Sequence, residues 1–374
     1  LDESTLLAYS NIEHHFSGKK VLLTGHTGFK GAWMTRWLYS LGALVTGCSL
    51  DATGQSLYKA IDADKYCRSS IMDLRDAQKI RALVTEIQPD IIFHFAAQSL
   101  VGESYTSPID TYAVNTMGTV NLLSALSAVQ DSCVVIIITT DKVYENHEWV
   151  YPYRETDRLG GHDPYSCSKA CAELVTDSFR RSFYPLNKYD THKTAIATAR
   201  SGNVIGGGDW NNDHLVPDII NAVSHDRAVP VRNPDSVRPW QHVLEPLFGY
   251  LLLATNLADK PNEYSGEWNF GPRPNDTLSV REFVEQAVAL WGAGCVGNAA
   301  RPEAVHEAKL LLLDSSKAQS VLGWSPVFNV QQAIDKTLLW YREYLRSPQG
   351  ADKLVADCIA DYIQLLKSRQ SSPT

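Results

Sequence analysis

An α/β fold built on a parallel, doubly wound sheet is predicted by three stretches of the chain. Cys133 to Ile138 is six consecutive apolar residues, the mark of a strand buried on both faces, and it ends abruptly in Thr139, Thr140, Asp141 and Lys142. Lys19 to Leu23 reads as a short strand running into Thr24-Gly25-His26-Thr27-Gly28-Phe29-Lys30-Gly31 and then a helical pattern from Ala32 to Leu41. Further strands at Ala43–Ser49, Ile91–Phe95 and Thr194–Ala199 alternate with helices, which is the rhythm of a parallel sheet.

The strand, glycine turn and helix at the start form a dinucleotide site in outline. Gly25 takes the tight turn, Gly28 lets the backbone approach a pyrophosphate, and Gly31 lets the helix pack close to the strand. Phosphate oxygens then meet free helix N–H groups. The next strand is expected to end in an acid for the adenosine ribose, but Ser49 stands there, so Asp51 is the substitute. No arginine nearby offers to hold a 2′-phosphate, which favours NAD over NADP.

Asp73 and Asp76 introduce a helix through Val84, and Ala96-Ala97-Gln98 follows the strand that ends at Phe95. Small residues there permit close approach of a flat cofactor. Asn115 opens a helix continuing to Leu126. In open α/β sheets ligands bind at the carboxyl ends of the strands, so the hydroxyl, carboxylate and amine of Thr140, Asp141 and Lys142 are candidates for catalysis. Asp163 and Pro164 then supply an N-cap and first-turn proline for a helix that places Tyr165 and Lys169 on one face. Tyr184/Lys188 and Tyr189/Lys193 share the spacing but lack both a helix start and a helical continuation.

Beyond Asn203 the run Gly206-Gly207-Gly208-Asp209-Trp210 breaks the alternation, and a second domain is expected. The dinucleotide domain is assigned residues 1–206 and 238–272, closing with a last strand at Trp268–Pro272. A smaller α/β substrate domain takes 207–237 and 273–374, with helices at Val280–Leu290, Asp335–Leu345 and Lys353–Lys367. The 374 residues are 44% hydrophobic and 20% charged, which suits a globular protein and excludes disorder. A net charge of −8 without a basic run argues against nucleic acid. No apolar stretch approaches the roughly 18 to 20 residues that span a bilayer, and residues 1–18 mix acids with histidines, so a cytoplasmic protein without a membrane partner is expected. Seven scattered cysteines without C-x-x-C spacing indicate neither a disulfide framework nor a metal site.

Together, Gly25-x-x-Gly28-x-x-Gly31, the polar strand end at Thr140 and the Tyr165/Lys169 pair resemble the extended short-chain dehydrogenase/reductase family, and the chain is similar to it from about Lys19 to Trp324. The resemblance implies a Rossmann-type domain, NAD as cofactor, Tyr165 as the base toward a substrate hydroxyl, Lys169 on the nicotinamide ribose, and Thr140 hydrogen-bonded to the same hydroxyl. An ordinary phenol has a pKa near 10, so a nearby cation is needed for that role. It further implies that Gly25, Gly28, Phe29, Lys30, Gly31, Asp51, Asp73, Leu74, Phe95, Ala96, Ala97 and Thr139 line the cofactor. Thr-Asp-x-Val-Tyr resembles the nucleotide-sugar 4,6-dehydratase branch. Residues 25–31, 140–142, 202–210 and 238–246 are similar to those of its members that act on CDP-glucose, which makes CDP-glucose the expected partner. Asp141 then serves as acid for the departing C6 hydroxyl. Lys142 stands where the dTDP-glucose branch has a glutamate; it is either the C5 base or a charged stabiliser of the enolate. Gln98, Asn203, Arg232, Arg238 and Arg301 are implied substrate ligands, the arginines suiting diphosphate oxygens. Trp210 either stacks on the base or plugs the core. Family members pair subunits through the helices after Asn115 and Tyr165, so a homodimer or homotetramer is expected. Two rivals remain: a nucleotide-sugar 4-epimerase, and a cofactor-binding protein without turnover.

Overall fold

A computed structural model describes residues 4–211, 214–298 and 309–368. Seven parallel strands form the central sheet: β1 (Lys20–Thr24), β2 (Leu44–Ser49), β3 (Arg68–Ile71), β4 (Ile91–His94), β5 (Cys133–Ile138), β6 (Thr194–Ser201) and β7 (Gly266–Phe270). Their order across the sheet is β7-β6-β5-β4-β1-β2-β3. The order reverses between β1 and β4, and the crevice at their carboxyl ends is where such a sheet binds ligands. All six residues of β5 are buried, as expected of a strand covered on both faces.

The helices used below are α1 (Ser4–Phe16), α2 (Phe29–Ser40), α3 (Ala77–Ile87), α4 (Gly118–Ala125), α5 (Pro164–Ser182), α6 (Leu215–Val223), α7 (Leu244–Asp259), α8 (Val280–Trp291), α9 (Val330–Arg346) and α10 (Ala351–Ser368). Their starts follow local chemistry. The Asp163 carboxylate accepts from the Ser166 N–H with Pro164 at the first helical position, and Asp76 caps α3 through the Lys79 N–H. Reciprocal capping boxes begin α8 at Ser279/Glu282 and α9 at Asn329/Gln332.

Two expectations change. The helix expected from Asn115 is wider at first, because Ala113–Met117 is a π-turn ahead of α4. Asp73 does not open α3; its carboxylate accepts from the Arg75 N–H at 2.8 Å, three residues before the cap at Asp76. The C-terminal helix, expected with the second domain, packs against α9 of that domain and also against α1 and α2. Its inward residues Val355, Ile359, Tyr362 and Leu366 need an apolar cover, and the Tyr362 hydroxyl donates to Glu245 of α7 at 2.7 Å. The N-terminal helix α1 carries no periodic signal strong enough to announce it, yet Tyr9, Ile12 and Phe16 are buried in the same core.

Short strand pairs build the wall opposite the sheet. Val204–Ile205 runs parallel to Gln241–His242, Ala228–Val231 parallel to Cys295–Asn298, and Val237–Arg238 antiparallel to Leu278–Ser279. They bring Asn203, Arg232 and Arg238 to face the strand ends.

Candidate active site

A cavity of about 1400 Å3 opens along the carboxyl ends of the strands and extends between the sheet and those short pairs. One arm is the glycine loop. Gly25 has φ +74, and its N–H donates to the Cys48 carbonyl at 2.8 Å. A Cβ on Gly25 would lie 2.7 Å from the Ala96 nitrogen, and one on Gly31 would lie 2.0 Å from the Gly25 carbonyl oxygen. The loop is therefore pressed against the ends of β1 and β4 with α2 starting directly behind it, a cradle that fits a dinucleotide pyrophosphate. Gly31→Ala is expected to destabilise the fold by about 1–3 kcal/mol and to open the cradle; denaturant unfolding reads the first effect. An unchanged midpoint would contradict this packing.

The serine that replaces the expected acid has its own task. Ser49 Oγ lies 2.8 Å from Thr27 Oγ1, which also donates to the Leu50 carbonyl at 2.9 Å, so the end of β2 holds the glycine loop. Asp51 is exposed and lies on the cavity wall. Asp73, Leu74, Phe95, Ala96, Ala97 and Thr139 line the same arm. Arg75 holds the Asp73 carboxyl below its ordinary range through a hydrogen bond.

The catalytic candidates meet where the arms join. Thr140, Asp141, Lys142, Tyr165 and Lys169 all line the cavity. Thr140 Oγ1 donates to Asp141 Oδ1 at 3.0 Å and accepts from the Lys142 N–H at 3.4 Å. Asp141 Oδ2 is buried with no hydrogen-bond partner among the described residues, a configuration that costs stability unless a ligand group meets it. Burial raises the Asp141 pKa, against the pull of Lys142, Thr140, Arg238 and Lys30. Burial also raises that of Tyr165, with a hydrogen bond to Thr140 pulling back and Asp141 and Asp163 pushing further. Lys169 donates to the Ile138 carbonyl at 3.2 Å; burial and then Lys30 lower its pKa to about 8, with Glu173 opposing.

Lys30 is more than a member of the glycine loop. Its ammonium donates to Ser201 Oγ at 3.2 Å, and burial lowers its pKa to about 8, with Asp141 opposing and Lys142 adding to the shift. Two lysines and an arginine, Lys30, Lys142 and Arg238, thus act on one buried carboxyl. Such a field can stabilise negative charge that develops beside it.

Among the implied substrate ligands, Asn203, Arg232 and Arg238 line the cavity. Arg238 is held by the Val237 carbonyl at 3.0 Å, and Arg232 by Asp218 at 3.1 Å. Gln98 and Trp210 are not on the cavity wall. The Gln98 amide closes its own loop, accepting from the Leu100 N–H and donating to Thr111 Oγ1 at 2.9 Å. Trp210 packs edge-on to Trp340 and Tyr341 and close to Tyr344, the arrangement of a plug between α9 and the glycine run. Arg301 lies outside the described residues. Sequence reasoning missed the cavity-lining pair His214 and Asp209, 2.7 Å apart, and the buried Glu173–Arg200 pair; an acid one turn beyond Lys169 on the same buried face was the available signal for the latter.

This sheet, with a tyrosine and lysine on one helix face across from a strand-end threonine, defines a short-chain dehydrogenase/reductase architecture. The chain belongs to the GDP-mannose 4,6 dehydratase family, whose model matches residues 22–337. It is 44% identical to CDP-glucose 4,6-dehydratase from Salmonella typhimurium, over 94% of this chain and 98% of that protein. A UDP-glucose 4-epimerase from Mycoplasma pneumoniae is 24% identical over 87% of this chain and 97% of its own. Among solved structures, dTDP-glucose 4,6-dehydratase from Streptomyces venezuelae superposes with a TM-score of 0.74 at 24% identity, covering 88% of this chain and 99% of that one. A Thermotoga maritima UDP-glucose 4-epimerase gives 0.74 at 20% identity, over 87% and 99%.

Proposed function

We propose that the protein converts CDP-glucose to CDP-4-keto-6-deoxyglucose and water, with NAD as its cofactor. The observation that carries this reading is Asp141. An epimerase needs the tyrosine and threonine but no second acid, whereas a buried carboxyl whose pKa burial raises, with one oxygen unpartnered among the described residues, suits a sugar hydroxyl that must leave as water. The extent of similarity to the Salmonella enzyme supports the nucleotide and the sugar together.

The cradle at Gly25, Gly28 and Gly31 fits the pyrophosphate of NAD, Asp51 its adenosine ribose, and Lys169 its nicotinamide ribose. When bound, NAD would supply the acceptor for the C4 hydride and the donor that returns it to C6. The protein moves the protons. Tyr165 takes the O4 proton, with Thr140 holding the same oxygen and Lys169 beside the nicotinamide supplying the positive charge that a buried phenol needs. The resulting 4-keto group acidifies C5–H. Lys142 takes that proton while Asp141 protonates the C6 oxygen, which departs as water. A proton then returns to C5. The O4 proton and the C6 hydroxyl together make the water; the proton gained by Tyr165 must pass to Asp141, directly or through solvent, before both groups are back in their starting states.

Arg238 and Asn203 hold the diphosphate, with Arg232 further along the wall. If Lys142 is the C5 base, solvent deuterium exchange at C5 falls by about 100-fold or more in Lys142→Ala. Exchange at the wild-type rate would assign the step to another group and leave Lys142 as a charge that stabilises the enolate.

Leu174 on α5, Met117 at the π-turn and Ile109 are exposed, the last by 84%, on the face formed by the helices around Asn115 and Tyr165. A second copy of the chain covers that face in the homodimer we infer. No helix among the described residues is long and apolar enough to cross a membrane.

The substrate is tested by incubating the protein with CDP-, dTDP- and UDP-glucose in turn, with NAD, and reading the absorbance that a 4-keto sugar develops in alkali. Signal from CDP-glucose first is expected. Signal from another nucleotide alone reassigns the base, and a C4 epimer without that absorbance would favour the epimerase.

A further inference from the structure

Directly behind the reacting groups lies an ion pair that the chemistry above does not use. Glu173 sits one turn beyond Lys169 and two beyond Tyr165 on the inward face of α5, and Arg200 sits near the end of β6; each side chain is 2% exposed. The guanidinium engages both carboxylate oxygens, Nε to Oε1 and Nη2 to Oε2, each at 2.9 Å. Two hydroxyls complete the carboxylate's shell: Thr139 Oγ1 donates to Oε1 at 2.5 Å and Thr198 Oγ1 to Oε2 at 2.6 Å. The remaining arm of Arg200 donates from Nη1 to the Tyr144 hydroxyl at 2.8 Å and to the Glu155 carbonyl at 3.2 Å. Tyr144 in turn donates to Asn269 Oδ1 at 2.8 Å, on β7.

The pair therefore touches the chain on both sides of the turn that carries Thr140, Asp141 and Lys142: at Thr139 before it and at Tyr144 after it. It also holds α5, the helix that carries Tyr165 and Lys169. A buried ion pair adds little net stability over an apolar packing of the same volume, because desolvation offsets its attraction. Its geometry, however, is stiff and directional.

We propose that Glu173 and Arg200 form a positioning device that sets the distance and register between the Tyr165/Lys169 helix and the Thr140–Lys142 turn. Neither residue lines the cavity. The inference rests on the reading of Thr140, Asp141, Tyr165 and Lys169 as the reacting groups. Reacting atoms must be held to within about 0.5 Å, and a misplacement of about 1 Å costs on the order of 100-fold in rate.

The test separates position from stability. Glu173→Gln alone leaves Arg200 buried without a counter-charge and is expected to unfold more easily than wild type. The double variant Glu173→Gln/Arg200→Gln removes both charges while keeping amides that can hydrogen-bond, and its unfolding midpoint is expected to return toward wild type. Its kcat with CDP-glucose is nevertheless expected to stay down by about 100-fold while KM changes by less than about threefold, since the nucleotide contacts lie elsewhere. A double variant whose kcat recovers together with its midpoint would overturn the proposal, because the pair would then be structural only. A crystal structure of the double variant gives the independent readout. A change of about 0.5 Å or more in the Tyr165–Thr140 separation supports the device, and an unchanged separation overturns it. If wild-type protein is inert toward CDP-glucose in the same assay, the functional reading fails by itself, and this separation still decides the role of the pair.

Discussion

Asp141→Asn is expected to stop the reaction after its first half. Asparagine has the shape of aspartic acid but no acidic proton, so departure of the C6 hydroxyl should slow by about 10²–10⁴-fold. In the proposed reaction oxidation at C4 depends on Tyr165 and Thr140, which the substitution leaves in place. Mixing the variant with CDP-glucose should therefore build up the absorbance of reduced nicotinamide, which wild type shows only transiently. The pH dependence follows with a definite sign. Burial raises the Asp141 pKa, and the acid acts only while protonated, so activity is present below that raised value and is lost as pH rises through it. The asparagine variant lacks that alkaline limb in its residual activity. Wild-type turnover by Asp141→Asn would remove Asp141 from the role of acid.

Tyr165→Phe is expected to fail earlier. Without the phenol no group is placed to take the O4 proton, and kcat should fall by about 10²–10⁴-fold with no reduced nicotinamide accumulating at any time. Loss of one buried hydroxyl costs about 0.5–1.5 kcal/mol of stability, so a folded protein remains to be assayed. The two variants thus arrest on opposite sides of the C4 oxidation. Stopped-flow absorbance distinguishes them, and reduced nicotinamide accumulating in Tyr165→Phe would show that another group takes the O4 proton.

The parts of this site legible in the sequence are those set by local rules. The glycine spacing after β1, the all-apolar β5 and the Asp163-Pro164 start of α5 each determine their own conformation within a few residues, and all three stand as read. What was hidden depends on distant partners. A glutamate in a helix and an arginine in a strand are ordinary surface residues until the fold brings Glu173 and Arg200 together with Thr139, Thr198 and Tyr144. Trp210 could not be placed from its own neighbours, because Trp340, Tyr341 and Tyr344 that enclose it come from α9. The Gln98 amide turns back on its own loop rather than into the cavity. Lys30 looked like part of a phosphate loop, since nothing local announces that its ammonium reaches across to Ser201.

The central claim is that one hydrogen leaves C4 and returns to C6 within the same active-site cycle. CDP-glucose carrying deuterium at C4, converted by wild-type protein and examined by NMR and mass spectrometry, tests it most directly. A 4-keto-6-deoxy product in which the deuterium has moved to C6, with a solvent-derived hydrogen at C5, is expected. Deuterium retained at C4 of a nucleotide sugar with inverted configuration, or lost to solvent from C4, would contradict it.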